Sequence, residues 1–321
     1  MKKTLMCMLL ISLAIAPTFA ADLVRLGTLK FAHFAPVWYT KEIATKYNLQ
    51  IQERVFPKGI DIIPAIIAGE IDVASSGADG AIGARASNVP IVIVAGFGKG
   101  GARIVGRPDI KWNSIADLKG KKVGVTRGGT QELVLLAELG KYNLTFGERT
   151  GKDVQLLYII YPDLNQALQA KDIDAICQSE PQSTQAIKQG FGVEIIKPYD
   201  TPLGEPVRTV MMTEEMYNNK NDVAERFLKC FVEATQYFID NPQGGERYVR
   251  EKMFKGQLTS EEYRDAMENC SVTCDITIDH IQASTDLMAR YGIARMTNPP
   301  AAKDYVKTDL LEKAKKELKF K

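Results

Sequence analysis

Two segments of the chain repeat one pattern without a gap. Residues 65–79 read AIIAGEIDVASSGAD, and residues 167–181 read ALQAKDIDAICQSEP. Each segment begins as the end of a helix, passes through an acidic turn to Ile-Asp, and continues as a short strand that ends in polar residues. This repeat predicts two similar lobes, each built from helices and strands.

The flanking sequence extends the same pattern. Short runs of Val, Ile and Leu alternate with segments of helical period through the first two-thirds of the chain, as in β-α units around parallel strands. The predicted strands are 23–29, 49–56, 71–75, 91–95, 122–126, 154–160, 173–177 and 193–197. The predicted helices between them are 36–46, 60–68, 79–86, 130–139, 163–170 and 181–189. From Glu214 onward the pattern is helical, with a capping box at 259–262, so the chain is expected to have an α/β fold.

The two lobes are not expected to be simply consecutive. The last predicted strand of the second lobe ends near Lys197, and more than 120 residues follow it. These residues pack most simply back onto the first lobe, so the chain crosses between the lobes twice, near 103–108 and 202–210. We therefore expect lobe one to comprise 21–106 plus 207–321, and lobe two to comprise 107–206.

The first twenty residues have the pattern of a secretory signal. Lys2 and Lys3 precede an apolar run over 5–16, and small residues precede a cut after Ala20. We expect an exported, soluble periplasmic protein, because no later segment has the apolar length of a membrane-spanning helix. Removing Lys2 and Lys3 leaves 39 basic and 39 acidic side chains, and this balance argues against nucleic acid or an anionic membrane as the partner.

Four cysteines follow the signal segment: Cys177, Cys230, Cys270 and Cys274. In an oxidising compartment some of them can pair, and a disulfide involving Cys270 or Cys274 is one hypothesis. The chain has only two histidines and no second closely spaced cysteine pair, so we predict no metal site and no cofactor.

Polar loops follow the predicted strands of both lobes. In an open α/β sheet, ligands bind beyond the carboxyl ends of the strands. These ends carry the loops 31–34 and 76–79 in lobe one, and 126–131 and 178–180 in lobe two. If the lobes face each other, the four loops line one cleft.

One of these loops has the composition of an anion site. It lies within VGVTRGGTQEL, residues 123–133. The glycines at 128–129 let the backbone approach a ligand, and the amides at 130–131 are unpaired donors at a helix start. Arg127 would add a charge-assisted hydrogen bond, so an anionic group is expected at this loop.

Several of these residues have structural alternatives. Thr130 can simply cap its helix while Arg127 lies in solvent, and Asp79 can be the N-cap of the helix that follows it. His33 and Phe34 can be core residues beneath a turn, or they can form a ligand wall.

Two charged residues also have two alternative roles each. Glu180 can stabilise the first turn of a helix or contact the ligand. Arg208, beside the second crossing, can pair with a ligand anion or with a hinge carboxylate.

The sequence contains no motif of a known catalytic centre. It has no G-x-S-x-G elbow, no H-E-x-x-H helix and no phosphate-binding loop of the G-x-x-x-x-G-K-[ST] type. The glycine-rich run at 96–101 does not open a helix and is expected to be a loop. Cys177 lies inside a predicted strand, which favours a buried apolar role over a nucleophile.

Several segments together carry a family resemblance. They are the signal segment, LKFAHFAPVW (29–38), AGEIDV (68–73), IADLKGKKVGV (115–125) and Glu180-Pro181. The chain resembles periplasmic substrate-binding proteins of ABC importers, in particular the nitrate/sulfonate/taurine-binding group, which shares its fold with thiamine-pyrimidine-synthesis-like proteins. The resemblance implies a type II periplasmic-binding-protein fold, with two lobes that close on a ligand.

The same resemblance implies a binding site and partners. The strand-end loops would hold a small organic anion, most readily an aliphatic sulfonate or taurine, and the loaded protein would deliver it to a membrane permease driven by an ATPase. The expected ligand-binding residues are His33, Phe34, Trp38, Ser76, Gly77, Ala78, Asp79, Thr126, Arg127, Gly128, Gly129, Thr130, Gln131, Ser179, Glu180 and Arg208.

Two other functions are kept as alternatives. One is an enzyme of the pyrimidine-synthesis-like branch, which would need a substrate-modifying site at His33. The fungal cysteine cluster of that branch is absent from this sequence. The other is a ligand-sensing module that docks on a membrane sensor, and gene neighbours would distinguish it from an import receptor.

Overall fold

A computed structural model describes residues 20–320 of the chain. The predicted signal segment, apart from Ala20, lies outside the described residues. Within residues 20–320 no helix combines the length and the hydropathy that crossing a bilayer requires.

Twelve strands form two six-stranded sheets within this range. In chain order the strands are β1 (Asp22–Thr28), β2 (Leu49–Val55), β3 (Val73–Gly77), β4 (Ile91–Gly100), β5 (Ala102–Gly106), β6 (Lys121–Val125), β7 (Phe146–Gly147), β8 (Val154–Tyr158), β9 (Ala175–Ser179), β10 (Val193–Ile196), β11 (Val207–Thr213) and β12 (Cys270–Val272). The first sheet has the order β12-β4-β11-β3-β1-β2, and the second has the order β10-β5-β9-β6-β8-β7.

Helices connect and cover the strands. They are α1 (Ala35–Ile43), α2 (Ile62–Ile67), α3 (Ala78–Ala86), α4 (Thr130–Lys141), α5 (Tyr161–Gln169), α6 (Gln182–Lys188), α7 (Glu214–Asn219), α8 (Asn221–Asp240), α9 (Pro242–Tyr248), α10 (Ser260–Glu268), α11 (Ile278–Tyr291), α12 (Ala302–Tyr305) and α13 (Asp309–Leu318). The predicted capping box is confirmed at the start of α10, where Thr259 and Glu262 exchange side-chain and backbone hydrogen bonds.

The repeat corresponds to equivalent places in the two sheets. Its strands are β3 and β9, which pair in parallel with β1 and β6 respectively. Each repeat strand has an antiparallel neighbour on its other side, β11 in the first sheet and β5 in the second. We call the first sheet with α1–α3 and α7–α13 the first lobe, and the second sheet with α4–α6 the second lobe.

The chain passes between the sheets at two places. The first lies at Gly101, between β4 and β5, and the second lies between Ile196 and Val207. Strand β5 (102–106), which the sequence analysis assigned to lobe one, pairs with β9 and β10 of the second sheet. The glycine-rich run expected to be a loop is instead the end of β4, because β11 and β12 supply hydrogen-bonding partners on both sides of it.

Apolar side chains fill the interior of both lobes. Leu26 and Ile93 in the first lobe, and Ile104 and Val123 in the second, are fully buried. Burial of such strand residues removes apolar surface from water and is the main favourable term for the fold. The helical segment after Glu214 packs on the first lobe, with α8 against α1 and α13, as the sequence analysis expected.

All four cysteines of the described residues are free thiols, three of them buried and Cys270 partly exposed. The hypothesis of a disulfide at Cys270 or Cys274 is therefore wrong for this structure. Residues 20–320 also contain no cluster of His, Cys, Asp and Glu side chains suited to a metal ion.

Candidate functional site

The polar loops of the two lobes meet at the carboxyl edges of the two sheets. There they surround a central cavity of about 20 Å³, close to the space that one water molecule occupies. We call it the central cavity. Ten of the expected ligand-binding residues line it: Phe34, Gly77, Asp79, Arg127, Gly128, Gly129, Thr130, Gln131, Ser179 and Arg208.

Arg208 is the most unusual charge in the cavity. Its residue surface is only 3% exposed, its Nη1 donates to the Pro206 carbonyl at 3.2 Å, and its Nη2 has no hydrogen-bond partner. Within residues 20–320 it forms no ion pair with a carboxylate, so the hinge carboxylate considered from the sequence is not its partner. A buried charge without a counter-charge is costly and is normally paired.

Strand direction explains how Arg208 reaches this edge. β11 runs antiparallel to β3, and Arg208 lies opposite Gly77, the last residue of β3. The first residues of an antiparallel strand therefore lie beside the last residues of its neighbour. This arrangement places a guanidinium where the parallel strands present their loops.

Asp79 links the two lobes. Its Oδ1 accepts a hydrogen bond of 2.5 Å from Thr130 Oγ1, and these residues belong to the first and second lobes respectively. The carboxyl group is buried, and burial raises its pKa from the ordinary 3.8 to about 6. The N-cap of α3 is Gly77, and no side chain caps this helix, so the interpretation of Asp79 as a helix cap is wrong.

The loop that begins α4 is organised around Glu132. The Gly128 amide donates to Glu132 Oε2 at 2.6 Å, and Tyr158 Oη donates to Oε1 of the same carboxylate at 2.6 Å. Gly128 has φ = +69°, a conformation that glycine adopts without strain. Gly129 is the N-cap of α4 and Thr130 makes no capping bond, so the cap interpretation of Thr130 is also wrong.

Arg127 is engaged at the surface of the cleft. Its side chain is 49% exposed and pairs with Glu148 at 2.5 Å. Its guanidinium lies 3.6 Å from the centroid of the Tyr158 ring, a cation–π distance. Arg127 therefore lines the cavity as a cation that already has partners, whereas Arg208 has an open donor.

Neutral hydrogen-bonding groups complete the cavity wall. Gln131 Oε1 accepts from Tyr161 Oη at 2.6 Å, and both residues are buried. Ser179 Oγ donates to the Gly101 carbonyl at 3.3 Å, next to the first crossing between the sheets. These groups can orient a polar ligand without adding charge.

His33 lies beneath the cavity wall and does not line the cavity. Its ring stacks on Phe31 with 5.9 Å between centroids, and its Nδ1 lies 3.8 Å from Cys270 Sγ. Burial, with a further contribution from Arg208, lowers the pKa of His33 well below its ordinary value. A neutral, packed imidazole fits the core alternative for this residue.

Four further expected residues also lie outside the cavity lining. The indole N–H of Trp38 donates to the Leu29 carbonyl at 2.9 Å, which fixes the start of α1 against β1. Thr126 Oγ1 donates to the Ile159 carbonyl at 2.8 Å, and Ser76 Oγ donates to the Gly77 carbonyl at 2.9 Å. Ala78 is buried at the first position of α3.

The carboxylate of Glu180 forms an ion pair and hydrogen bonds within the protein. It is fully buried and pairs with Arg103 Nε at 2.7 Å. It also accepts from the Thr184 amide at 3.1 Å and from Asn269 Nδ2 at 3.0 Å. These contacts join the second lobe to the segment after α10, so its carboxylate is occupied by the protein.

The sequence analysis missed several residues of the cavity wall. They are Leu29, Phe31, Lys58, Gly59 and Tyr161, although Phe31 had been placed in a strand-end loop. Lys58 and Gly59 follow β2, and Tyr161 follows β8. The strand-end rule would have found them if it had been applied to every parallel strand.

The sequence of the chain matches a known family and several known proteins. The family model described as the NMT1-like family matches residues 21–249. A protein of Brachyspira hyodysenteriae whose name describes an ABC transporter periplasmic binding protein is 25% identical over 238 residues, which cover 69% of this chain and 67% of that one. An Escherichia coli protein whose name describes binding of aliphatic sulfonates is 32% identical over 146 residues, which cover 44% of this chain and 43% of that one.

A solved structure gives the same result for the fold. The alkanesulfonate-binding protein SsuA of Xanthomonas axonopodis pv. citri, bound to MOPS, superposes with a TM-score of 0.76 at 17% identity. The superposition covers 89% of this chain and 98% of that chain. The expected periplasmic-binding-protein fold is thereby confirmed, and these relatives are named for binding and not for catalysis. The chain belongs to the NMT1-like family.

Proposed function

We propose that this protein is a periplasmic receptor that binds a small organic anion between its lobes and delivers it to the permease of an ABC importer. The observation that carries the proposal is Arg208, a buried guanidinium with an open donor in the cavity between the lobes. An anionic ligand would supply the missing partner through a charge-assisted hydrogen bond.

Other charges around the cavity support an anion. Lys58 and Arg127 line the same cavity, and Asp79 is its one lining carboxylate among the described residues. Arg127 pairs with Glu148 and Lys58 lies 3.8 Å from Asp61, so Arg208 is the lining cation that most needs a negative partner. Aliphatic sulfonates are the first candidates, since two of the relatives are named for sulfonate binding.

Asp79 adds a preference among sulfonates. Its carboxyl lies close enough to Arg208 for that charge to influence its pKa. A zwitterion such as taurine would place its sulfonate on Arg208 and its ammonium near Asp79. Taurine is therefore the second candidate within the same class.

Capture is proposed to occur by closure of the lobes. In the structure the lobes touch through Asp79 and Thr130, and the Ala32 amide reaches the Glu180 carbonyl at 3.4 Å. The central cavity is too small for a sulfonate in this closed arrangement. The lobes must therefore separate about the connections at Gly101 and 197–206 to admit the ligand, and the population of closed states then shifts when the ligand binds.

The test is calorimetric titration of methanesulfonate, taurine and nitrate into wild type, Arg208→Met and Arg127→Met. Loss of a hydrogen bond to a charged group costs about 1.5–3 kcal/mol, so Arg208→Met should weaken binding by about 10- to 100-fold or more. Arg127→Met is the matched control, because Arg127 already has Glu148 and Tyr158 as partners, and it should change affinity by less than about fivefold.

Misfolding is separated from loss of the site by the ligand-free melting temperature. Arg208→Met removes an unpaired buried charge, so the melting temperature of the free protein should stay constant or rise. The proposal fails if no anion binds to the wild type, or if Arg208→Met binds the anion as tightly as the wild type.

The export route and the transporter partners remain parts of the proposal. The signal segment with a cut after Ala20 is expected to direct secretion, and the permease and ATPase would receive the ligand from the closed form. Amino-terminal sequencing of protein recovered from the periplasm tests the cut, which should expose Ala21.

A further inference from the structure

Asp79 is an acid at a contact between the two lobes. It is the second residue of α3 in the first lobe, and its Oδ1 accepts the 2.5 Å hydrogen bond from Thr130 Oγ1 of the second lobe. There is little space around this contact, because a Cβ placed on Gly77 would lie 2.1 Å from Asp79 Oδ1 and 2.0 Å from Thr130 Oγ1. The carboxyl group is therefore enclosed by residues of both lobes.

Water reaches little of Asp79 in this closed arrangement. The central cavity beside it has about the volume of one water molecule. A chamber of about 490 Å³ adjoins the central cavity and also has Asp79 in its wall, yet only 6% of the surface of this residue is exposed. Separation of the lobes would expose the carboxyl group to water.

Asp79 also lacks a charged partner. Among residues 20–320 no arginine or lysine forms an ion pair with it, although Arg208 lines the same cavity. An ionised carboxylate that is buried without an ion pair costs free energy, and the neutral acid costs much less. The closed arrangement therefore favours the protonated form of Asp79.

Several other titratable or charged groups share a cavity wall with Asp79. They are Lys58, Arg127, Glu132, Glu148, Tyr158, Tyr161, Arg208, Tyr291 and Arg295. Burial is the largest influence on the pKa of Asp79 and raises it. The hydrogen bond from Thr130 and the charge of Arg208 lower this pKa, Glu132 raises it, and the result is about 6.

The two histidines do not gain a proton in the same pH range. Burial is the main cause that lowers the pKa of His33 well below its ordinary value, and it lowers the pKa of His280 to about 4. Both imidazoles therefore stay neutral between pH 5 and pH 7.5.

We propose that closure of the lobes takes up a proton from solvent on Asp79, so that the balance between open and closed forms depends on pH. The neutral acid keeps its place against Thr130 in the closed form, whereas the carboxylate favours the open form, in which water reaches it. Protonation also removes the one negative charge among the described residues that line the central cavity. An anion that enters the cavity would then meet cations alone.

The direction and the size of the pH dependence follow from the two environments. The carboxyl group has a pKa near the ordinary 3.8 when hydrated in the open form, and of about 6 in the closed form. The proton therefore favours the closed form below about pH 4, and this contribution is lost as the pH rises through about 6. The ratio of closed to open molecules should be about tenfold higher at pH 5 than at pH 7.5.

The first experiment needs no ligand and does not depend on the proposed function. Small-angle scattering of the chain from Ala21 at pH 5, 6 and 7.5 should show a radius of gyration that decreases as the pH falls. Asp79→Asn imitates the neutral acid and should be as compact at all three pH values as the wild type is at pH 5. A wild-type radius that stays constant overturns the inference, and so does a pH response that persists in Asp79→Asn.

Glu53→Gln is the matched control for this experiment. Burial raises the pKa of Glu53 as well, but this residue lies on β2 of the first lobe and pairs with Lys41 at 2.6 Å, away from the lobe contact. Glu53→Gln should therefore retain the pH response of the wild type. Loss of the response in this variant would assign it to an acid outside the lobe contact and overturn the inference.

A second experiment uses a ligand and rests on the proposed function. Methanesulfonate is the probe, because the ammonium group of taurine would favour the ionised form of Asp79. Calorimetric titration at pH 5.5 in buffers of different ionisation enthalpy should show uptake of about half a proton or more per ligand by the wild type, and none by Asp79→Asn. The affinity of the wild type should be up to about tenfold higher at pH 5 than at pH 7.5.

The two experiments separate this inference from the proposed function. If no anion binds but the scattering depends on pH through Asp79, the proposed function is wrong and the inference stands. If methanesulfonate binds in an Arg208-dependent way without proton uptake, and the scattering is constant, the inference is wrong and the proposed function stands. Proton uptake and compaction that are both absent from Asp79→Asn support both.

Discussion

Replacing Asp79 by asparagine should stabilise the protein at neutral pH and leave its stability at acidic pH nearly unchanged. The residue is only 6% exposed, and burial raises the pKa of its carboxyl to about 6. Because the folded state binds this proton more tightly than the unfolded state, its contribution favours folding at low pH and is lost as the pH rises from about 4 through about 6.

The size of the effect follows from the shift in pKa. The carboxyl moves from 3.8 to about 6, and each unit corresponds to about 1.36 kcal/mol. The ionised carboxyl therefore destabilises the folded protein by about 3 kcal/mol at pH 7.5. Asparagine has a carbonyl oxygen that can still accept from Thr130, so Asp79→Asn should recover most of this free energy. Opening of the lobes would hydrate the carboxylate, which makes the figure an upper bound.

Urea unfolding at pH 4, 5, 6 and 7.5 measures this difference. The free energy of unfolding of Asp79→Asn should match that of the wild type at pH 4 and exceed it by about 2–3 kcal/mol at pH 7.5. Asp72→Asn is the control, because hydrogen bonds from Arg25 lower the pKa of Asp72, so this variant should be less stable than the wild type at pH 5 and above. A difference between Asp79→Asn and wild type that is independent of pH, or that has the opposite sign, would refute the reasoning.

Three further predictions concern closure, the core and the cysteines. Gly77→Ala should hold the lobes apart, because a Cβ there would lie 2.0 Å from Thr130 Oγ1, and small-angle scattering should show a larger radius of gyration than for wild type. Glu180→Ala should lower the free energy of unfolding by about 1–3 kcal/mol, since it removes a buried acceptor shared by Arg103, Thr184 and Asn269, while Glu194 and Asp265 still pair with Arg103; urea unfolding measures the loss. Thiol titration of the unfolded, unreduced protein should find four thiols in the chain after Ala20.

Each of these predictions has a contrary outcome. An unchanged scattering profile for Gly77→Ala, with Gly83→Ala as the control glycine, would show that this contact does not govern closure. A free-energy loss near zero for Glu180→Ala would show that these buried contacts do not stabilise the fold. Two thiols in place of four would restore the disulfide hypothesis.

Local sequence signals predicted most of the secondary structure. The strands of the repeat and the helices after them were recognised because apolar periodicity and helix-end signals act over a few residues. The prediction failed at β5 and β11, whose residues lie at the two crossings. Their partners are distant in sequence, at β9, β3 and β4, so no local pattern specifies the pairing.

The binding loops were also predicted only in part from the sequence. The rule for carboxyl ends of parallel strands identified the loops at 76–79 and 126–131, and seven of their ten residues line the central cavity. The rule could not show which of the two arginines, Arg127 or Arg208, lacks an ion pair. That difference depends on the burial of each side chain and on the residues around it. Arg127 has Glu148 beside it, whereas antiparallel pairing with β3 buries Arg208 where no carboxylate forms an ion pair with it.

The sequence alone determined that the chain forms two related α/β lobes whose strand-end loops are rich in polar residues and glycine. Those properties follow from periodicity and from local backbone preferences, which neighbouring residues control. Only the tertiary structure decided which charge remains unpaired, which loop residues face the cavity, and that a 490 Å³ chamber adjoins it. Burial and pairing depend on residues from both lobes, such as Asp79 and Thr130, which meet only after the chain has crossed between the sheets.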